Sequence, residues 1–262
     1  MKERKMPNNM KVIIVAAGLG SRLGSLTSDR PKCLLELDGK SILQHQLDVY
    51  NKANIADISV VIGYMKECFT IESVFYYEND DYRENNILNS LFCAEEKISG
   101  TVIISYSDII FESSVLSELI LSPHDISIVV DVDWLDSYVG WQDHPITEAE
   151  TVCFSDDFNL RKIGKECAPI NDVSGEFIGL MKLSGAGAEI FKKNFHAAKT
   201  IFTNKSFQRA STFQQSYLSD LLQEMVDQNV KIHCVTVKGG WKEIDTAEDY
   251  QNAITMVNNR QI

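Results

Sequence analysis

Apolar and polar positions along this chain change rhythm as it proceeds. Residues 11–17 (KVIIVAA) form a β-branched apolar run that stops at glycine, which predicts a strand buried on both faces of a parallel sheet. Runs of the same kind recur at 58–62, around 74–77, at 102–106 and at 126–132. Between them the apolar spacing opens to that of helices. Ser41 caps one that buries Leu43, Leu47 and Tyr50; Ile87, Leu88, Leu91 and Phe92 line a second; residues 115–121 make a third. Strands alternating with helices in this way predict a doubly wound α/β sheet.

From Asp133 the alternation gives way to the aromatic, polar stretch WLDSYVGWQDHPITEAE. Short alternating segments at 151–154, 160–163 and 176–183 then read as antiparallel strands, so an insertion over about 133–184 is expected to cover one end of the sheet. Helices at 186–198 and 212–228 and a strand at 231–237 follow. Thr246 caps a last helix that buries Ala247, Tyr250, Ile254 and Val257. A chain of 262 residues suits one domain spanning 1–262.

A formal charge of -12 argues against nucleic acid or an anionic membrane as partner, so an anionic ligand must meet cations placed for it. The charged MKERKMPNN is followed by an apolar run too short for a signal or a span, so no membrane insertion and a cytoplasmic location are expected. The six cysteines are scattered, without metal-like pairing, and read as reduced thiols.

Residues 15–37 (VAAGLGSRLGSLTSDRPKCLLEL) gather cations around a glycine turn in this acidic chain. Gly18, Gly20 and Gly24 fit GxGxxxG after a strand, with Asp38 about twenty residues on, as in a dinucleotide fold. Against an NAD(P) oxidoreductase stand Pro31, which disfavours the helix that such a loop should enter, and the surplus of charge in Arg22 and Lys32. Glycine amides, a guanidinium and an ammonium suit a nucleoside triphosphate better. Asp108 follows an apolar strand at the edge where open α/β sheets bind ligands, and Asp245 precedes the last helix.

The pattern G-x-G-S-R-L-x-x-L-T-x-x-x-P-K, from Gly18 to Lys32, resembles the signature of the sugar-phosphate nucleotidyltransferase superfamily. The resemblance implies a Rossmann-like three-layer sandwich, the nucleotide-diphospho-sugar transferase fold, with a central mixed, mostly parallel sheet and a small antiparallel insertion. It also implies attack by a substrate phosphate on the α-phosphorus of an NTP, with loss of pyrophosphate. The backbone of Ala16, Ala17, Gly18, Leu19, Gly20 and Ser21 would then hold base and phosphates, Arg22 the leaving pyrophosphate, and Lys32 the α-phosphoryl charge. Asp108 and Asp245 would bind Mg²⁺.

Tyr82, Asn86, Ser90 and Leu91 meet the Y-x-x-x-N-x-x-x-S-L pattern of choline-phosphate and related cytidylyltransferases, and residues 131–150 resemble the phosphoenolpyruvate-mutase-associated phosphonate group. CTP and a small phosphonate or phosphomonoester, such as 2-aminoethylphosphonate or phosphocholine, are therefore the expected substrates. Asn86 and Ser90 are placed with the nucleotide or the acceptor. Asp133, Trp134, Tyr138, Glu176 and Trp241 are candidates for a cationic amine, and Lys162, ahead of Lys165, for the acceptor's anionic group. Trp141 stands where the mutase-associated group has arginine, and His144 reads as a loop residue. A sugar-1-phosphate nucleotidyltransferase is the alternative, and a homodimer is compatible with the sequence.

Overall fold

The computed structural model describes residues 9–138 and 143–258, so Trp141 lies outside the described residues. Strand β1 (Lys11–Ala16) runs at the centre of a nine-stranded sheet. A small ribbon, β2 (Glu36–Leu37) and β3 (Lys40–Ser41), leads into α1 (Ile42–Lys52), whose first turn Ser41 caps by accepting from the Gln44 amide at 3.1 Å. Then come β4 (Asp57–Ile62), β5 (Phe75–Glu78), α2 (Ile87–Leu91), β6 (Val102–Tyr106), β7 (Ile109–Phe111), α3 (Ser113–Leu121) and β8 (Ile126–Asp131). The second half contributes β9 (Glu150–Phe154), β10 (Leu160–Lys165), β11 (Gly175–Leu183), α4 (Gly185–Phe202), α5 (Leu218–Asp227), β12 (His233–Val237), β13 (Trp241–Glu243) and α6 (Ala247–Asn258).

The main sheet runs β10-β9-β11-β6-β1-β4-β5, with β8 on the other edge of β11 and β12 beyond β8. The β6, β1, β4 and β5 pairings are parallel, and those of β11 are antiparallel. Side chains alternating along β1 explain the layers. Ile13 and Val15 face a core that includes residues of α2, α4 and α5, whereas Val12, Ile14 and Ala16 face α1 and α3. The mixed α/β sandwich expected from the sequence is thus observed.

Three local features depart from the pattern. β11, whose residues 176–183 read as part of the insertion, is buried at all nine positions and lies between β6 and β8 in the main sheet. Apolar spacing predicted one helix over 212–228, but Thr212 caps a short 3₁₀ turn (Phe213–Gln215) and α5 starts only at Leu218. The helix predicted from Ile87 is a five-residue turn that relaxes into 3₁₀ geometry over Phe92–Lys97. Among the described residues no helix is long and apolar enough to cross a membrane.

Candidate active site

A cleft of about 450 Å³ opens at the carboxyl end of β1. One wall is the glycine loop. It leaves β1 through Ala17 and Gly18 and turns in 3₁₀ geometry over Ser21–Thr27, with a kink at Gly24 (φ 58°). No α-helix follows the turn, as Pro31 foretells and unlike a dinucleotide loop. Gly20 adopts φ +62°, and a Cβ there would lie 3.0 Å from the Lys32 Cβ. Glycine therefore lets the loop press against the lysine, and the Thr27 hydroxyl, donating to the Gly20 carbonyl at 3.0 Å, secures it.

The opposite wall comes from two distant segments. Asp108 lies in the turn between β6 and β7. Buried Gln46 of α1 clamps that turn, its amide donating to the carbonyls of Tyr106 (2.8 Å) and Ile109 (2.7 Å) while its oxygen accepts from Ser105 (3.2 Å). β13 pairs antiparallel with β7, with Glu243 opposite Ile109, and the Ile244 amide donates to the Asp108 carbonyl at 2.8 Å. Strand pairing thus delivers Glu243 and Asp245 to Asp108. Asp249 holds the far side, its Oδ2 accepting from the amides of Asp245 (3.0 Å) and Thr246 (2.7 Å) and pairing with His144 Nδ1 (2.9 Å).

Lys32 Nζ donates to Asp108 at 2.6 Å and to Asp245 at 2.8 Å. Burial alone would depress this ammonium; Asp108, Asp245 and Glu243 outweigh burial and hold its pKa above the usual lysine range. Arg22 pairs with Asp245 and, at 3.0 Å, with Glu148, which also takes Lys165 at 2.8 Å. Burial and the neighbouring carboxylates Asp108 and Asp245 push Glu243 well above the normal carboxyl range. Burial opposes ionisation of Asp245 as well, but Lys32 and Arg22 prevail and lower its pKa.

Oxygens of Asp108, Glu243 and Asp245 lie within 4.8 Å of one another, and Asp108 Oδ1 is buried without a hydrogen-bond partner. An all-oxygen set with an unused buried lone pair fits a hard divalent cation. These three residues would hold an ion of that kind.

The structure gathers most, but not all, of the side chains singled out in the sequence. Ala16, Ala17, Gly18, Leu19, Gly20, Ser21, Arg22, Lys32, Asn86, Ser90 and Asp108 line the cleft together with Asp245. Asn86 also caps α2, accepting from the Ile87 amide at 2.8 Å, and the Ser90 hydroxyl is occupied by the Asn86 carbonyl (3.0 Å) and by Asn79 (2.9 Å). Tyr138, Glu176 and Trp241 line a small annex that shares His144 and Glu243 with the cleft. Trp134 is buried against Tyr138, and Asp133 is exposed, 3.9 Å from Lys238; neither lines the cleft or the annex. Lys162 is exposed and lies off the cleft, whereas Lys165 lines it, which reverses the expected order of the two lysines.

Sequence reasoning overlooked Glu243, Glu148, Glu150 and Gln46. Glu243 carried a usable signal, because a residue two before Asp245 on an extended segment shares its face. Glu150 did not. Its burial, with Tyr106 donating at 2.9 Å and Ser219 also donating, depends on a hairpin packing on distant elements. Burial keeps the Glu150 pKa raised despite those two donors.

A glycine loop at the carboxyl end of a central strand, two cations and a three-carboxylate cluster are features that suit a nucleotidyltransferase. Residues 12–163, more than half of the chain, match the MobA-like NTP transferase domain, and the chain belongs to that family. It is 28% identical over 255 residues to CTP:phosphoglutamine cytidylyltransferase of Campylobacter jejuni, covering 92% of this chain and 98% of that one. Choline-phosphate cytidylyltransferase of Streptococcus pneumoniae is 31% identical over 122 residues, which are 44% of this chain and 52% of the relative. The solved CTP:phosphocholine cytidylyltransferase of Streptococcus pneumoniae superposes with a TM-score of 0.73 at 20% identity, covering 95% of this chain and 99% of that one, and so shares the fold. The protein is a nucleotidyltransferase enzyme of this family.

Proposed function

We propose that this enzyme transfers CMP from CTP to a small phosphonate or phosphomonoester that carries a cationic amine, releasing pyrophosphate, and that it works in the cytoplasm. The observation that carries the reading is the convergence of Arg22, Lys32, Asp108 and Asp245 in one cleft, with Lys32 Nζ 2.6 Å and 2.8 Å from the two aspartates. Choice of cytosine and of acceptor class is supported by the relatives named above.

An oxygen of the acceptor's dianion attacks the α-phosphorus, the bond to the bridging oxygen breaks, and pyrophosphate departs with the electron pair. No side-chain nucleophile or base is needed, because the acceptor is already ionised, and such transfers are catalysed by positioning and charge neutralisation. Amides of residues 16–21 receive the phosphates, Arg22 holds the leaving pyrophosphate, and Lys32 faces the charge growing on the α-phosphoryl group. When bound at Asp108, Glu243 and Asp245, Mg²⁺ supplies further neutralisation of phosphate charge. Tyr138, Glu176 and Trp241 receive the amine, Glu176 giving charge and the rings an apolar wall.

The test is pyrophosphate release from CTP, UTP, ATP, GTP and dTTP, each offered 2-aminoethylphosphonate, phosphocholine and sugar 1-phosphates. Turnover with CTP and the amine-bearing acceptors is expected. Turnover confined to a sugar 1-phosphate would overturn the acceptor class, and preference for another NTP would overturn cytidylyl transfer.

A further inference from the structure

The annex beside the cleft is small and its chemistry is unbalanced. Its volume is about 20 Å³. A single water needs roughly 10–15 Å³ by this measure, so there is room for one group of that size. Tyr138 and Trp241 supply aromatic walls, and Glu176, Glu243 and Asp249 supply carboxylates, against Lys242 and a His144 already paired with Asp249. Two buried oxygens here, Glu176 Oε2 and Asp249 Oδ1, accept no hydrogen bond. Their neighbours Glu176 Oε1 and Asp249 Oδ2 are used, by Tyr138 at 2.6 Å and by His144 at 2.9 Å. A buried acceptor left without a hydrogen bond is costly, more so when it is charged, so the annex is built for a guest that brings N–H donors.

We propose that the annex is the seat of a primary ammonium group, which makes the acceptor a primary amine and excludes quaternary ones. This deepens, and rests on, the reading of CMP transfer to an amine-bearing acceptor. A primary ammonium is about the size of a water and offers three donors to the two idle oxygens. A trimethylammonium offers none, and its three methyl groups exceed a cavity sized for one such group. Because His144 and Glu243 border both spaces, a short acceptor can place its amine in the annex and its phosphoryl group in the cleft. Burial, which outweighs the Tyr138 hydrogen bond and the nearby His144 and Lys242, has pushed the Glu176 carboxyl up to about 7.

The experiment compares phosphoethanolamine, phosphocholine and ethyl phosphate as acceptors with CTP and Mg²⁺, reading kcat/KM from pyrophosphate release by the full chain. Phosphoethanolamine is expected to exceed both others by roughly 100-fold or more, since a site made to bond N–H groups rejects analogues that lack them. Glu176→Gln is expected to shrink that ratio about tenfold; the wild-type ratio carries the test should the variant fold poorly. Phosphocholine matching phosphoethanolamine overturns the primary-amine seat while leaving CMP transfer intact. Ethyl phosphate matching it removes any role for the amine. Absence of pyrophosphate release from CTP with every phosphorylated acceptor, sugar 1-phosphates included, defeats the reading of CMP transfer itself, and this inference with it.

Discussion

Arg22 and Glu148 form an ion pair of 3.0 Å at the cleft, and Glu148 holds Lys165 with its other contact. Under the proposed CMP transfer, this carboxylate competes for Arg22 with the triphosphate and for Lys165 with the acceptor's anionic group. Glu148→Gln should lower KM for CTP by about two- to fivefold, the worth of a partly exposed pair. Steady-state kinetics check this, and an unchanged or raised KM would show that Glu148 is no competitor.

Lys32 lies between carboxylates that would otherwise repel each other. Lys32→Ala should reduce kcat by about 100- to 1,000-fold, the usual loss when one preorganised charge is removed from a transferring group. With the ammonium gone, Asp108 lacks its counter-ion and Asp245 keeps only Arg22, so Mg²⁺ should raise the melting temperature of the variant more than that of the wild type. Thermal melts with and without Mg²⁺, alongside the kinetics, decide both points. A near-normal kcat refutes the assigned role.

Gln46 touches no substrate position, yet it holds both ends of the turn that carries Asp108. Gln46→Leu should weaken binding of a divalent ion about 10- to 100-fold, as expected when the support of a ligand is lost. Mn²⁺ titration followed by electron paramagnetic resonance reads this without turnover. Unaltered Mn²⁺ affinity in a folded variant would show the clamp to be structural only.

Burial raises the Glu176 pKa from 4.5 to about 7, so the folded chain keeps a proton that the unfolded chain releases earlier. A raised acid pKa stabilises the fold fully below about 4.5 and loses that contribution as pH rises through about 7. Glu176→Gln removes the titration. Relative to wild type, its melting temperature should be level near pH 5 and higher near pH 8 in the absence of acceptor. A difference that does not change with pH would mean that Glu176 is not the titrating group.

How far the sequence could be read depended on whether a signal was local. The loop from Gly18 to Lys32 was legible because its glycines, proline and cations lie in one continuous pattern, and Asp108 because it terminates an apolar run. The order of Lys162 and Lys165 was not. The β9–β10 register shifts between Leu160 and Lys162, and such an irregularity breaks the alternation from which facing is counted. The break before α5 was equally hidden, since Leu218, Leu221, Leu222 and Met225 continue the spacing set by Phe213 through a segment whose backbone is not helical. Glu148 and Glu150 acquire their partners only when a hairpin meets the glycine loop and α5, contacts that no local pattern encodes.

Lys32 and Asp245 meet across 213 positions of sequence, through the pairing of β13 with β7. A polypeptide emerging from the ribosome therefore carries its glycine loop early, yet the carboxylate cluster is incomplete until residues beyond 240 have been made and docked. Closing so long a loop is among the slower events of folding. A chain stopped short of β13 would carry Lys32 and Asp108 but neither Glu243 nor Asp245, two of the three clustered carboxylates.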